Sequence, residues 1–298
     1  MNYNIQNIDL IEKKRIKSAI VNANNEVTLL SAKISSELNL IEPILIGNEQ
    51  EIRKICTQIK WDLNEVKIVN TLEEKESSKI ACQMASESKV GLLVKGHMHT
   101  DILMGEYIKS SYSLRNKGEK LSHIWFMTIP SRREPLIITD GALNIKPSLQ
   151  TKKMILKNVI NFTNRIKNFE PYISVLSATE EVLPQMESSV DAKDLMEWAL
   201  KEIDPSLKIM GPLAFDNSIS NHAAKMKGID NQVAGNANIL LVPNIETGNS
   251  LVKMLVNFSD ATAGGFVTGS NIPVVITSRS DSLDSRLSSI SNAVLSIQ

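Results

Sequence analysis

An α/β fold with a mainly parallel sheet follows from three features of the sequence. Short apolar runs alternate with longer amphipathic ones, the pattern of strands that each feed a helix. The apolar runs are mostly too short to be helices. They are not joined by the Asn-Gly turns that build hairpins. A chain of 298 residues suggests two such domains, at about 100–200 residues each.

The elements can be taken in order. Strand 17–21 (KSAIV) leads into helix 26–38, strand 43–46 (PILI) into helix 49–59, and strand 66–69 (VKIV) into helix 73–88. Strand 90–94 (VGLLV) precedes Gly96-His97-Met98-His99-Thr100-Asp101, which opens another helix with Thr100 or Asp101 as its cap. Strands 123–128 and 136–138 come next, then helix 149–168. Strand 173–176 precedes helix 188–202, where 191–200 (DAKDLMEWAL) places apolar residues at helical spacing. Gly211-Pro212 reads as a turn before a polar helix start. Strand 239–242 leads through the polar loop 243–249 to helix 249–259. Strands 266–268 and 274–276 and a last helix capped by Ser282 complete the chain. In such folds ligands bind where strand carboxyl ends meet helix amino ends.

Composition excludes several classes. The 33 Lys and Arg balance 33 Asp and Glu, so no global charge drives binding to nucleic acid or an anionic membrane. With 42% apolar and 22% charged residues the chain is not disordered. No apolar run approaches the ~18 residues of a membrane span, and the first residues lack the apolar block of a signal peptide. Cys56 and Cys82 are the only cysteines and form no CxxC, which argues against a disulfide scaffold or structural zinc. The expected location is the cytoplasm.

Candidate site residues follow the strand ends. Free N–H groups at the helix start after Gly96 favour an anion, making Lys95, Gly96, His97 and Thr100 candidate binding residues. His97 and His99 have the spacing of a metal pair, but no matching acidic or Cys ligands accompany them, so donation to a phosphate or a carbonyl is the preferred reading. Arg132 and Arg133 beside the two-proline segment 129–135 suit phosphate by their fork geometry, or form a solvated pair. Asp140 sits where a ligand-facing carboxylate would, although Asp-Gly is also a good turn. Gly211, Pro212 and Asp216 form one further candidate group, and Gly235 precedes the strand at 239. Thr247, Gly248 and Asn249 lie in a loop able to present amides and a hydroxyl to an anion. It is neither a Walker A loop nor a GxGxxG fingerprint. Glycines gather late in the chain, up to Gly264, Gly265 and Gly269, and either approach a ligand or serve turns. Finally, strand 274–276 delivers Ser278, Arg279, Asp281 and Asp284 within seven residues. Hydroxyl, guanidinium and carboxylate there suit an anionic group beside a proton acceptor.

Six segments in order resemble the phosphate acetyltransferase and phosphate butyryltransferase family: LVKGHMHTDILM, LSHIWFM, PLIITDGALNIKPSLQTK, GPLAFDNSIS, AGNANILLVPNIETGN and IPVVITSRSDS. The resemblance runs from about Leu40 to the carboxyl end, and LSH and TSRSDS look closer to the butyryl branch. It implies a fold like that of isocitrate and isopropylmalate dehydrogenases, two α/β domains with a cleft between them. The first domain would comprise 1–128 plus 270–298, with 129–269 inserted as the second. It further implies a homodimer or dimer-based oligomer. The implied reaction moves an acyl group between coenzyme A and inorganic phosphate by direct attack, with no metal and no permanently bound cofactor, coenzyme A being a substrate.

By position, the resemblance makes Ser278 the stabiliser of charge at the acyl centre and Arg279 the holder of phosphate or coenzyme. Acetyltransferases of the family place an aspartate where this sequence has Ser285, leaving Asp281 and Asp284 as alternatives for the base. Many relatives have an arginine near Met104 or Gly105 and this sequence has none, so that either a phosphate-binding arginine is missing or Arg132, Arg133 or Arg115 serves instead. Two rival readings stay open, a catalytically impaired acyl-CoA-binding homologue and a metal- and NAD-dependent dehydrogenase of the same fold.

Overall fold

The computed structural model describes residues 15–115, 118–278 and 281–297. Among the described residues the chain first forms β1 (Ile16–Val21), α1 (Glu26–Glu37), β2 (Ile41–Gly47), α2 (Glu49–Gln58), β3 (Lys67–Asn70), α3 (Glu74–Ser86), β4 (Leu92–Lys95) and α4 (Thr100–Tyr107). Next come β5 (Ser122–Thr128), β6 (Leu136–Thr139), α5 (Leu149–Thr163), β7 (Ile173–Leu176), α6 (Glu187–Glu202) and β8 (Ile209–Leu213). The chain continues through α7 (Phe215–Ile219), α8 (Asn221–Met226), β9 (Ile239–Leu241) and α9 (Ile245–Phe258). It closes with β10 (Thr262–Thr268), β11 (Val274–Val275) and α10 (Leu283–Leu295). These elements fall into two compact units, one of Met1–Glu119 with Gly264–Gln298 and the other of Lys120–Ala263. No helix among the described residues is long and apolar enough to cross a membrane.

In the first unit the order is β3-β2-β1-β4-β11, all parallel, with β10 antiparallel beyond β11. Strands covered on both faces need near-continuous apolar side chains, and Ile20, Leu45, Leu93 and Val275 are fully buried. Each such side chain contributes roughly 1.5–3 kcal/mol. Asparagine side chains start the helices: Asn25 accepts the Thr28 N–H at α1, and Asn48 accepts from Gln50 and Glu51 at α2. The last helix, α10, is buried from Ser285 through Leu295. Its Leu287 meets Ile34 of α1. On the strand side, a Cβ at Gly264 would lie 2.3 Å from Ser288 Oγ, while Ser289 Oγ accepts the Gly265 N–H at 2.9 Å. Gly264 and Gly265 therefore belong to β10 and let a helix lie against it; they form no turn.

In the second unit β6, β9, β7 and β8 run parallel in that order, and β5 pairs antiparallel with β6. The two-proline segment 129–135 is the connection between β5 and β6, so it lies within this unit. The divisions at Lys120 and Gly264 lie earlier in the chain than the crossings expected near Thr128 and Ser270.

Local chemistry explains where elements depart from expectation. Helix α9 begins at Ile245 because Asn244 accepts the Thr247 N–H, so Thr247, Gly248 and Asn249 are helical. The N-cap position of α4 is His99, whose side chain makes no capping bond, and neither Thr100 nor Asp101 occupies that position. Gly211 and Pro212 lie inside β8. A Cβ at Gly211 would sit 2.7 Å from Val175 Cβ and 3.2 Å from Ala192 Cβ. This glycine thus allows β7, β8 and α6 to close up. Gly211→Ala is expected to cost about 1–3 kcal/mol, read as a lowered midpoint of denaturant unfolding; an unchanged midpoint would show that the strand yields freely.

Candidate active site

The chain order of the first unit sets its binding edge. The chain moves from β1 outward to β2 and β3, then returns to place β4 on the other side of β1. Such a reversal opens a crevice beyond the strand carboxyl ends. After β1 comes Asn22-Ala23-Asn24-Asn25, and after β4 comes Gly96-His97-Met98-His99. The segments are laced together: Gly96 N–H donates to Val21 O at 2.8 Å and His97 N–H to Asn22 O at 2.9 Å, and Asn22 Nδ2 donates to His97 O. A Cβ at Gly96 would stand 2.4 Å from the Asn22 carbonyl oxygen, so this approach requires glycine. Lys95 is buried, and its ammonium donates to Met98 O at 3.0 Å. His97 and His99 are exposed, with His97 Nδ1 3.4 Å from Asn25 Nδ2.

Strand β11 adds a third segment. It pairs in parallel with β4, Val275 opposite Val94, so the chain beyond it emerges beside Lys95. Thr277 Oγ1 donates to Lys95 O at 3.5 Å. Ser278 is exposed. Its N–H donates to Asp281 Oδ2 at 2.6 Å, and its carbonyl accepts from Arg286 Nη2 at 2.7 Å. Burial pushes the Asp281 carboxyl above its ordinary range, while the Ser278 N–H, Arg286 and Lys95 pull it back. Arg286 is only 4% exposed; burial works against its charge and Asp281 supports it. Arg279 and Ser280 lie outside the described residues. Ser282 caps α10 as expected, by accepting the Ser285 N–H, and Asp284 is exposed in the first turn.

Most of the remaining expected residues belong to the second unit. In the second unit, the turn after β6 and the start of α9 come together: a Cβ at Gly248 would be 2.5 Å from Gly141 Cα, and Asn249 Nδ2 donates to Gly141 O at 3.3 Å. The Thr247 hydroxyl donates to Asn244 Oδ1 at 2.7 Å. Asp140 takes the turn role that Asp-Gly also allowed. Its carboxylate accepts the N–H groups of Ala142, Leu143 and Asn144 and the Asn144 side chain, and it is 1% exposed. Asp216 is exposed at the start of α7. Gly235 packs on Asn221 with φ +82°, and Gly269 turns the chain after β10 with φ +86°.

Arg132 donates to Ala237 O at 3.4 Å, which places it with neighbouring Arg133 at the amino end of β9, in the loop that follows the carboxyl end of β5. Arg115 follows Leu114, whose carbonyl accepts from Asn271 at the amino side of β11. None of these three arginines therefore stands at the carboxyl ends of the parallel strands. Arg286 does, and sequence reasoning missed it. The signal was an arginine at helical spacing with Leu283, Leu287 and Ile290, a position otherwise apolar. The polar run Asn22-Ala23-Asn24-Asn25 directly after a strand was missed too.

Fold and edge together define a class: an α/β protein whose parallel strands bring Lys95, Ser278 and Asp281 to one carboxyl edge, where such folds bind ligands. Comparison with known proteins narrows the class. Residues 74–294 match the family described as phosphate acetyl/butaryl transferase. A phosphate acetyltransferase of Rickettsia felis is 36% identical over 275 residues, 92% of this chain and 78% of the relative. A probable phosphate butyryltransferase of Bacillus subtilis is 33% identical, covering 96% of each chain. The crystal structure of a branched-chain phosphotransacylase from Enterococcus faecalis is similar with a TM-score of 0.79, at 29% identity over 95% of this chain and 99% of the other. A 4-hydroxythreonine-4-phosphate dehydrogenase from Klebsiella pneumoniae shares the fold alone, with a TM-score of 0.58 at 10% identity, over 95% of this chain and 100% of the other. The chain belongs to the phosphate acetyl/butyryl transferase family.

A buried histidine in β5 gives this chain a pH dependence. Burial holds His123 down to about 4 from an ordinary 6.5, against the pull of the Asp140 carboxylate. Between those values the unfolded chain binds the proton and the folded chain does not. Stability is therefore expected to fall as pH drops from 6.5 towards 4, by roughly 1–3 kcal/mol. Denaturant unfolding at several pH values should show this decline and its loss in His123→Gln; an equal decline in the variant would assign it to other groups.

Proposed function

We infer that this chain is a phosphate acyltransferase that moves an acetyl or butyryl group reversibly between coenzyme A and inorganic phosphate. Family membership supports the class of reaction. The observation that carries the mechanism is the Ser278 turn, an exposed serine beside a partly buried carboxylate and two buried cations. In the direction of acyl phosphate, a phosphate oxygen attacks the thioester carbonyl carbon, the C–S bond breaks and the coenzyme leaves as thiolate. In reverse, the thiol loses its proton, its sulfur attacks the acyl phosphate and inorganic phosphate leaves.

In this reading Ser278 donates to the carbonyl oxygen as charge develops, an effect on the order of 3 kcal/mol for one well-aimed donor. Arg279 holds phosphate or the coenzyme. Asp281 is favoured over Asp284 as the base, because its carboxyl is pushed upward by burial and so nears the range of a working base. Its Oδ2 is taken by the Ser278 N–H, and Oδ1 receives the thiol proton. Coenzyme A is a substrate here, and the reading includes no permanently bound cofactor. Two free, buried cysteines agree with a cytoplasmic location. The dehydrogenase-like arrangement, with one α/β domain inserted in the other, belongs to the same reading.

Thiol release from acetyl-, propionyl- and butyryl-CoA is expected only when phosphate is supplied. Arg279→Ala should abolish it with the fold intact, and Asp281→Asn should lower it far more than Asp284→Asn; full activity in Arg279→Ala removes the assignment. The reading also includes a homodimer or dimer-based oligomer. Met254, Val256 and Phe258 of α9 are exposed apolar side chains that an interface would cover. Sedimentation should give a dimer or a multiple of it, and a monomer at working concentration removes this part.

A further inference from the structure

We propose that Arg286 is a positioning residue, which fixes the Ser278 turn from beneath and acts on the reaction only through Ser278 and Asp281. The inference rests on the acyl-transfer reading above.

Arg286 projects from the first turn of α10 into the interior. Its Nη1 donates to Thr277 Oγ1 at 2.8 Å and its Nη2 to Ser278 O at 2.7 Å. On the other side of the same residue, Asp281 Oδ2 accepts the Ser278 N–H. Both main-chain polar groups of Ser278 are thus gripped by charged side chains, and such bonds are about twice as strong as neutral ones. The grip is needed because β11 is only two residues long, so the sheet itself does little to hold the chain beyond it. Thr277 carries the hold further, since its hydroxyl both accepts from Arg286 and donates to Lys95 O. One guanidinium thereby links the Ser278 turn to the end of β4.

Stability alone gives a poor reason for this arginine. It occupies an apolar position between Leu283, Leu287 and Ile290, and its Nε is buried without a hydrogen-bond partner. A buried cation with an unmade bond is costly, and an apolar replacement is often neutral or stabilising. A charged group retained at such a cost points to a role in the geometry above it.

The test uses the full chain with Arg286→Met and Arg286→Lys, measuring the unfolding midpoint, kcat, KM for acyl-CoA and the pH profile of kcat. The Met variant is expected to stay folded. Its kcat should fall about 10²-fold, the effect of a misplacement near 1 Å, with KM for acyl-CoA nearly unchanged. The acid limb of its profile should move to higher pH, because Asp281 loses the cation facing it. The Lys variant keeps the charge without the two-pronged bond, so its rate should fall while the limb stays. A folded Met variant with unaltered kcat and limb overturns the positioning role. So does a loss of rate that follows the unfolding midpoint and vanishes on cooling. Absence of phosphate-dependent release in the unaltered chain overturns the reaction itself, and this role with it.

Discussion

The parallel pairing of β11 with β4 is the constraint on which the first unit's edge depends. Two residues of strand place Thr277 and Ser278 beside Lys95 and Gly96, although more than 180 positions separate them in sequence. That register decides which residues the Ser278 turn stands beside, and the Arg286 bonds then hold it there. The pairing is itself enclosed: Val274 and Val275 are fully buried, and α10 covers the strand from one face, with its polar side chains turned inwards where β10 carries glycine. A serine-rich helix buried on all sides would ordinarily be a poor core element. Here the Ser289 hydroxyl accepts the Gly265 N–H and donates to Ser285 O, and the small serine side chains let the helix approach β10 more closely than larger apolar ones would, although Ser291 Oγ is buried without a partner.

Much of this arrangement was legible in the sequence, because parallel strands covered on both faces must be apolar throughout. Runs such as VGLLV and PILI admit few other readings once helices flank them. The cap at Ser282 was legible for a similar reason, since a serine followed by an amphipathic run states where a helix begins. What was hidden depended on side-chain partners. Asp140 looked like a ligand-facing carboxylate because it follows a strand; it is consumed by the N–H groups of its own turn, and sequence does not reveal how many donors a turn will supply. Gly211-Pro212 looked like a turn because both residues favour turns, yet tight packing on Val175 and Ala192 places them within a strand. Tertiary packing overrode the local preference at Gly211-Pro212, whereas at Asp140 the local turn preference prevailed.

Candidate site residues show the same division. Lys95, Gly96, His97, Ser278 and Asp281 were found by the rule that loops beyond strand carboxyl ends carry chemistry, and they do gather at one edge. The rule could not say where Arg132 and Arg133 would stand, since whether a loop lies at the amino or carboxyl end of its neighbours depends on strand direction. The β5–β6 connection is antiparallel, and that reversal puts the two arginines at the amino end of β9. Arg286 was invisible to the rule for the opposite reason: it lies on a helix, one turn past the loop, and reaches back.

The two cysteines bear on how the acyl group moves. Burial pushes Cys56 up to about 11 and Cys82 up to about 12. At neutral pH the thiolate share is then on the order of one part in ten thousand or less, so neither thiol is poised to attack a thioester. Direct attack between the two substrates asks less of the protein. It requires a donor for the carbonyl oxygen, cations for phosphate and a proton acceptor, each held still. A turn gripped at both its N–H and its carbonyl fits that requirement better than it fits a nucleophile that must move into the substrate and out again.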